Sequence, residues 1–268
     1  MQYLNLGCGV RYHEEWLNFD FVSHSTFVKQ TNLTKGIPIA DKTIDFVYHS
    51  HILEHFTKTQ GTYFLEECCR VLKDGGILRV VIPDLEQIAI NYLSTLKDVL
   101  DDENQRNIAK CNWSTIELLD QMVREESGGE MLRVWKQKEL VNEDQIIGRV
   151  GDEFIRIRKN ILKNSNNNEK MNSSKKSFRS ILKTFFFNKL KVDEENLKTG
   201  NFRNGGEVHK WMYDRFSLKN LLQEVGFKDV KIVNAFESDI LNWEKFQSLD
   251  VEEGKVRKPD SLFMEAKK

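Results

Sequence analysis

The sequence predicts an α/β domain built on a doubly wound, mostly parallel sheet, with a helical cap inserted into it. One observation is an apolar strand at Tyr3–Leu6 that runs directly into the turn Gly7-Cys8-Gly9. Glycine tolerates positive φ and has no Cβ, so a ligand can approach the backbone of such a turn closely. The second is a strand–helix–strand order that starts at the apolar run Ile44–Tyr48, because this order indicates a right-handed parallel crossover.

The helix of that crossover is predicted over Thr59 to Leu72, where apolar residues recur at helical spacing. We expect it to end at Asp74-Gly75-Gly76, since glycine commonly caps the C-terminus of a helix. The apolar run Ile77–Ile82 then supplies the next buried strand.

The end of the chain supplies the rest of the predicted sheet. A helix over Phe216–Val225 closes at Gly226, and the runs Val230–Val233 and Ser261–Glu265 have the composition of strands. We expect these two strands to form an antiparallel hairpin at one edge of the sheet.

The strand–helix alternation stops after residue 86, and polar, helix-forming sequence follows over 87–204. This stretch is predicted to be the inserted helical cap. Residues 1–86 and 205–268 are then the two parts of the α/β domain.

Asp20 ends the strand after the glycine turn, where its carboxylate can accept both hydroxyls of a ribose. A dinucleotide fingerprint needs a third glycine, but Tyr12 stands at that position, and Asp20 follows too soon for a full crossover helix. The pattern therefore favours a nucleoside-containing ligand other than NAD. Glycine turns of this kind also occur without any ligand, and this alternative stays open here.

Four motifs follow one another along the first part of the chain: Asn5–Gly9 (NLGCG), Ile37–Val47 (IPIADKTIDFV), His51–Phe56 (HILEHF) and Arg70–Leu78 (RVLKDGGIL). With them the sequence resembles the class I methyltransferases that use S-adenosylmethionine, in particular their type 11 branch. It is especially similar to predicted methyltransferases encoded with bacterial surface-glycan biosynthesis enzymes, which also tend to carry segments like those at 207–218 and 257–265.

The resemblance implies a Rossmann-like class I methyltransferase fold with S-adenosylmethionine as cofactor. The cofactor-binding residues that it implies are Asn5, Gly7, Cys8, Gly9, Asp20, Asn32, Leu33, Ser50 and His51. In this set the glycine turn lies under the methionine part, Asp20 binds the ribose, and Asn32 and Leu33 lie beside the adenine. Ser50 and His51 face the sulfonium. Asn5 and Asn32 stand where the family often has acidic residues, and an amide oxygen still accepts hydrogen bonds there, without the charge.

Methylation of a hydroxyl requires a group that removes its proton, and imidazole titrates near the working pH. The candidate catalytic residues are His55, His209 and Asp84, although Asp84 is equally suited to cap the next helix. Trp211 and Tyr213 are candidates for substrate binding, because aromatic faces suit a sugar ring. We therefore expect O-methylation of a sugar or glycan intermediate by in-line displacement, with a histidine as general base. The alternatives are a non-enzymatic cofactor-binding or scaffold protein of the same fold and, less favoured, a nucleic-acid methyltransferase.

The segment His51–His55 also matches the His-x-x-Glu-His pattern of a zinc peptidase family. Catalytic zinc needs a further ligand and a long metal-binding helix, whereas this pentapeptide follows a buried strand. The expectation from sequence is therefore a site without metal.

Positive charge is concentrated in one part of the cap, residues 155–192, where eleven basic residues stand against one acidic residue, Glu169. This segment carries +10, although the whole chain carries −1. Within it, 164–174 is predicted to be mobile and Phe178–Leu190 to be a basic amphipathic helix. The pattern fits an anionic membrane that bears a lipid-linked acceptor, or an ordinary solvated face over an apolar cap. Nucleic acid is disfavoured as a partner, since no RNA-binding module or target-base motif is found.

Composition agrees with a soluble enzyme of 268 residues, with 40% hydrophobic residues and a mean hydropathy of −0.52. No run of about 18 apolar residues occurs, and the first strand begins too early for a signal peptide. The four cysteines show no Cys-x-x-Cys spacing, which suits a reducing compartment. We expect a cytoplasmic protein, with peripheral contact at the inner face of the membrane if 155–192 docks there.

Overall fold

The computed structural model of the chain describes residues 1–168 and 196–268. The strands in these ranges are β1 (Tyr3–Leu6), β2 (Leu17–Asp20), β3 (Val28–Gln30), β4 (Ile44–Ser50), β5 (Leu72–Pro83), β6 (Lys228–Val233), β7 (Val251–Glu252), β8 (Lys255–Val256) and β9 (Ser261–Lys267). Seven of these described strands form one sheet in the order β3-β2-β1-β4-β5-β9-β6, and β7 pairs with β8.

The first five strands pair in parallel, and β9 lies antiparallel between β5 and β6. This confirms the predicted doubly wound, mostly parallel sheet, and its order matches the Rossmann-like class I methyltransferase fold. The predicted antiparallel pair at the edge, β6 with β9, is confirmed, and residues 234–260 connect the two strands. That connection contains a short helix and the β7–β8 pair.

Helix α1, Lys58–Val71, connects β4 to β5 and begins with a reciprocal capping box. The backbone N–H of Thr57 donates to Gln60 Oε1 (3.1 Å), and the backbone N–H of Gln60 donates to Thr57 Oγ1 (3.3 Å). The predicted C-cap at Gly75-Gly76 is wrong: the helix ends at Val71 and β5 starts at the next residue, so both glycines lie within the strand.

Both faces of the sheet are covered. On one face, α1 and α8 (Arg215–Val225) pack with β4 and β5 in the main core, which includes Leu65, Val71, Leu218 and Leu222. A second cluster contains Trp16, Phe46 and Tyr48 of the β1–β4 region and Trp243 and Phe246 of α9 (Trp243–Phe246). The predicted closure of α8 at Gly226 is confirmed by the left-handed conformation of that residue, with φ of 109°.

Arg79 lies fully buried on β5 and fixes the long connection between β6 and β9. Its guanidinium lies 3.0 Å from Asp250 and 2.8 Å from Glu265, and it donates to the backbone carbonyls of Asn234 (2.8 Å) and Glu237 (2.9 Å). Because the guanidinium and both carboxylates are buried, this network holds the connection against the sheet.

The described polypeptide between β5 and α8 is mostly helical, with short connections between the helices and a non-helical stretch over 205–214. Its helices are α2 (Leu85–Asp101), α3 (Gln105–Val123), α4 (Gly129–Trp135), α5 (Glu143–Val150), α6 (Asp152–Asn168) and α7, described over 196–204. They have a hydrophobic core of their own, which consists of Trp113, Met131, Trp135, Ile146, Val150 and Phe154.

The basic segment 155–192 is described only as far as residue 168, in α6. Helix α6 continues through Asn168, so the predicted loop 164–174 starts as helix, and the rest of it lies outside the described residues, as does Phe178–Leu190. Arg158 is buried and donates to the carbonyls of Trp135 (2.9 Å) and Gln137 (3.0 Å), so this basic residue stabilises the cap. In the two described ranges, no helix has the length and apolarity needed to cross a membrane.

Candidate functional site

The carboxyl ends of β1, β4 and β5 meet at one edge of the sheet, where the glycine turn follows β1. Gly7 and Gly9 adopt positive φ angles of 65° and 52°. The backbone N–H groups of Gly7 and Cys8 both donate to the carbonyl oxygen of Phe19, at 2.8 and 3.3 Å. A Cβ at Gly7 would overlap Ile52 Cδ1, so the turn also passes close to the segment after β4. The turn is therefore held by hydrogen bonds to β2 on one side and by contact with Ile52 on the other.

Asp20 orients this turn from the end of β2. One carboxylate oxygen accepts from the N–H of Gly9 (2.8 Å) and the other from the N–H of Val22 (3.0 Å). A carboxylate oxygen has two lone pairs, so each oxygen keeps one for another donor. Asp20 is thus rigidly placed and still able to accept hydroxyl groups.

A cavity of about 230 Å³ opens beside the turn. Of the nine residues predicted to bind the cofactor, six line it: Asn5, Gly7, Cys8, Gly9, Ser50 and His51. Burial raises the pKa of the Cys8 thiol to about 12, so this thiol stays protonated at neutral pH. Helix α6 contributes Glu153 and Arg156 to the same cavity, and sequence reasoning did not assign either residue to it.

Asn5 carries an unsatisfied acceptor at this cavity. Its side chain is 1% exposed, and Nδ2 donates to the carbonyl oxygen of Arg11 at 3.1 Å. Its Oδ1 is buried and has no hydrogen-bond partner in the described structure. Such an oxygen suits the ammonium group of a bound amino acid moiety, because a buried acceptor without a donor is costly.

Asn32 and Leu33 lie away from the residues that line the cavity. Asn32 Oδ1 caps a short 3-10 turn by accepting from the N–H (3.0 Å) and hydroxyl (2.6 Å) of Thr34. Leu33 is buried in the main core. Their contact with an adenine therefore stays a prediction. The contacts that they make in this structure cap a turn and fill the core.

His51 stands between two cavities. It is a non-glycine residue with a φ of 53°, in the left-handed region where strain is common at functional sites. Its Nε2 lies 2.9 Å from Ser261 Oγ, and its Nδ1 lies 3.2 Å from Glu54 Oε1. The side chain lines the cavity at the glycine turn and a second, larger one.

The second cavity measures about 510 Å³ and lies between the sheet edge and the helical cap. Glu54, His55 and His209 line it together, and Lys258 and Glu153 line both cavities, with 3.6 Å between Nζ and the carboxylate. The cap supplies most of the remaining lining: Gln121, Arg124, Ser127, Met131, Leu132, Trp135, Val150 and Ile157.

The imidazole rings of His55 and His209 pack edge to face, with ring centroids 4.9 Å apart. Burial lowers the pKa of His209 to about 3 and also lowers that of His55, so both rings are neutral near pH 7. Burial alone would raise the pKa of Glu54, but the hydrogen bond and charge of His51 and the neighbouring imidazoles lower it below its usual range. This part of the cavity wall therefore combines the carboxylate of Glu54 with the two neutral imidazoles of His55 and His209.

Backbone hydrogen bonds fix these groups relative to one another. The carbonyl oxygen of Glu54 accepts from the N–H of Lys210 (2.7 Å) and of Trp211 (3.2 Å). The N–H of His209 donates to the carbonyl oxygen of Gln121 in α3, at 2.9 Å. The chain that returns from the cap is thus fastened both to the turn after β4 and to the cap.

Three of the five residues predicted for catalysis or substrate binding do not line either cavity. Asp84 caps α2, since its Oδ1 accepts from the N–H groups of Glu86 (3.0 Å) and Gln87 (3.3 Å). Tyr213 is buried in the main core, and Trp211 is 38% exposed beneath the Lys58 ammonium. Trp135 of α4 supplies an aromatic side chain to the second cavity. Glu54 was missed as a site residue, although it lies inside the His51–His55 motif.

Residues 8–80 match the type 11 model of the methyltransferase domain. The chain carries a methyltransferase domain. It is an S-adenosylmethionine-dependent enzyme, and the buried Asn5 oxygen and the open glycine turn are the groups that fit this cofactor. Asn5 and the turn would hold the methionine part, and Asp20 the ribose.

Among solved structures, an S-adenosylmethionine-dependent methyltransferase from Archaeoglobus fulgidus is 14% identical, covering 100% of this chain and 86% of that one with a TM-score of 0.39. One from Mesorhizobium loti is 10% identical, covering 100% and 90% with a TM-score of 0.40. A search among curated proteins found no match. The strand order of this sheet shows the fold, and the family match is confined to residues 8–80.

Proposed function

We propose that the enzyme methylates a hydroxyl oxygen of a sugar or glycan intermediate bound in the second cavity. The observation that carries this proposal is the pair of adjoining cavities, which share His51, Glu153 and Lys258 in their walls. An acceptor in one cavity and a cofactor in the other would meet at His51. Direct displacement requires this arrangement, because both reactants must be held within reach of each other.

S-adenosylmethionine, when bound, supplies an electrophilic methyl carbon. The residues of this chain position the reactants and stabilise charge. Ser50 and His51 end β4 at the boundary between the cavities, and the hydrogen bond of His51 to Ser261 fixes its ring. Helix α6 covers the boundary through Glu153 and limits access of water.

The lining of the second cavity supports a polyhydroxylated acceptor. Gln121, Ser127 and Asp260 offer hydrogen-bonding groups, and Trp135 offers an aromatic surface. The cavity volume of about 510 Å³ lies within the range of small-molecule sites. The resemblance to methyltransferases of surface-glycan clusters points to the same class of acceptor.

His55 or His209 would remove the proton of the acceptor hydroxyl. Both imidazoles line the second cavity and carry no proton on one ring nitrogen near pH 7. The buried carboxylate of Glu54 would stabilise the imidazolium that forms.

The test has two stages. Calorimetry should show saturable binding of S-adenosylmethionine to the wild type and binding weakened at least about 10-fold in Asp20→Asn, whose amide nitrogen cannot accept from a backbone N–H. Transfer of a labelled methyl group is then measured with sugar nucleotides, lipid-linked sugars and free oligosaccharides. A labelled methyl group on an oxygen of one of these acceptors supports the proposal. Transfer confined to nitrogen or sulfur acceptors would overturn it.

A further inference from the structure

Glu54, His55 and His209 form a cluster at the wall of the second cavity. One ligand atom from each residue can be chosen so that all three lie within 4.8 Å of one another. We propose that these three residues bind one divalent transition-metal ion whose open coordination positions face the second cavity.

The strongest support is the unsatisfied state of the cluster. Glu54 is 1% exposed; its Oε2 has no hydrogen-bond partner within the described ranges, and its Oε1 has only His51 Nδ1 nearby, at 3.2 Å. His209 is 4% exposed, and its Nδ1 is buried without a partner there. Burying such groups unpaired is costly in an apolar environment. A bound cation would satisfy the carboxylate and an imidazole at once.

The surroundings of the cluster also suit ligand residues. His55 Nδ1 lies 3.4 Å from the carbonyl oxygen of Val208, and donation of a proton to that oxygen leaves Nε2 free for an ion. His51 lies 3.2 Å from Oε1 of Glu54 and is itself held by Ser261. Metal-binding histidines and carboxylates are usually oriented by outer contacts of this kind.

The ligand set narrows the choice of ion. Two imidazoles and one carboxylate suit Zn²⁺, Fe²⁺, Mn²⁺ or Co²⁺, whereas Mg²⁺ and Ca²⁺ prefer oxygen ligands alone. Three protein ligands with open positions are typical of catalytic metal sites, since structural zinc is usually held by four.

The expectation of a metal-free site was based on the short His51–His55 motif, which lacks a further ligand nearby in the sequence. His209 supplies that ligand from the chain that returns from the cap, and the backbone bonds at the carbonyl of Glu54 hold it there. The ion goes beyond the proposed methyl transfer and does not depend on which acceptor is used. If the ion is bound, His55 and His209 are ligands and not free bases, so the ion would replace the histidine base proposed above by binding the acceptor oxygen directly and lowering the pKa of its hydroxyl.

The test is metal uptake by the full chain. The protein is stripped with a chelator, titrated calorimetrically with Zn²⁺ and with Mn²⁺, and its metal content is measured by mass spectrometry after dialysis. We expect about one ion per chain in the wild type. Glu54→Gln and His209→Asn should each weaken binding by more than about 100-fold, while His51→Asn should weaken it about 10–100-fold. His24→Asn, which changes an exposed histidine outside the cluster, should leave uptake unchanged.

Folding of each variant is checked by circular dichroism and, except for His51→Asn, by its binding of S-adenosylmethionine. Zn²⁺ should raise the melting temperature of the wild type but not of Glu54→Gln, since a ligand of the native state stabilises it. The proposal is overturned if the folded wild type takes up neither ion stoichiometrically, or if Glu54→Gln and His209→Asn take up as much as the wild type. Cofactor binding in the same preparation shows whether the methyltransferase site has failed independently.

Discussion

Replacing Gly7 with alanine should damage the cofactor site more than the same change at Gly9, although both glycines belong to one turn. Their φ angles are similar, 65° and 52°, so a side chain at either position costs about 1–2 kcal/mol in backbone strain. A Cβ at Gly9 would have no heavy atom within 4 Å, whereas a Cβ at Gly7 would overlap Ile52 Cδ1 and lie 3.1 Å from Ile52 Cβ. Ile52 Cβ cannot rotate away, so overpacking adds about 1–3 kcal/mol at Gly7.

The free energy of unfolding is measured by urea denaturation, and the affinity for S-adenosylmethionine by calorimetry. Gly9→Ala should lose about 1–2 kcal/mol of stability and Gly7→Ala about 2–5 kcal/mol. The double variant Gly7→Ala/Ile52→Ala should lose less than the sum of its single changes, because it removes the overlap with Ile52 Cδ1 and leaves only the contact with Cβ. Equal losses for Gly7→Ala and Gly9→Ala, or strictly additive losses in the double variant, would refute the close approach of Ile52 to the turn.

Three further outcomes are expected. Arg79→Met should lower the free energy of unfolding by about 3–5 kcal/mol in urea denaturation, because two buried carboxylates lose their cation. In the same assay Arg106→Ala, which breaks an exposed ion pair, should cost less than about 1 kcal/mol. Backbone N–H donors at the start of α8 lower the pKa of Asp214, so its contribution to stability should be complete above pH of about 4 and lost as the pH falls through the lowered pKa; Asp214→Asn should flatten that dependence in urea titrations. Changing the lysines within 169–195 to glutamate should reduce sedimentation with anionic vesicles, and unchanged sedimentation would dismiss membrane docking by this segment.

The sheet was predictable because its signals are local. Glycine in a turn, the strand that precedes it and the carboxylate at the end of β2 each act within a few residues, and the structure places all of them at one edge of the sheet. Errors arose where two local signals compete. A Gly-Gly pair such as Gly75-Gly76 often ends a helix, but glycine is also favoured where two strands approach closely. Here the pair lies inside β5, close to β4, and a Cβ at Gly76 would lie 3.0 Å from the carbonyl oxygen of Asp45.

Asp84 shows the same ambiguity at a functional position. A carboxylate after a strand suits both catalysis and a helix N-cap, and only the observed bonds to two N–H groups of α2 show which contact it makes. Asn32 is similar, because an amide that can hold adenine can equally cap a 3-10 turn. The sequence alone therefore predicts that a polar residue lies at the end of a strand, but not whether it binds a ligand or caps the next helix.

The wall of the second cavity was beyond local reasoning for a different reason. His55 and His209 were both candidates from their residue type, yet their proximity depends on where the chain returns from the cap, which is set by the bonds of 209–211 to Glu54 and Gln121. The same return buries Glu54, and burial turns an ordinary surface residue type into a carboxylate that needs a cation. The chemistry of this site is therefore a property of the inserted cap as much as of the sheet, so relatives that share the first 80 residues but differ in the cap should bind the same cofactor and different acceptors.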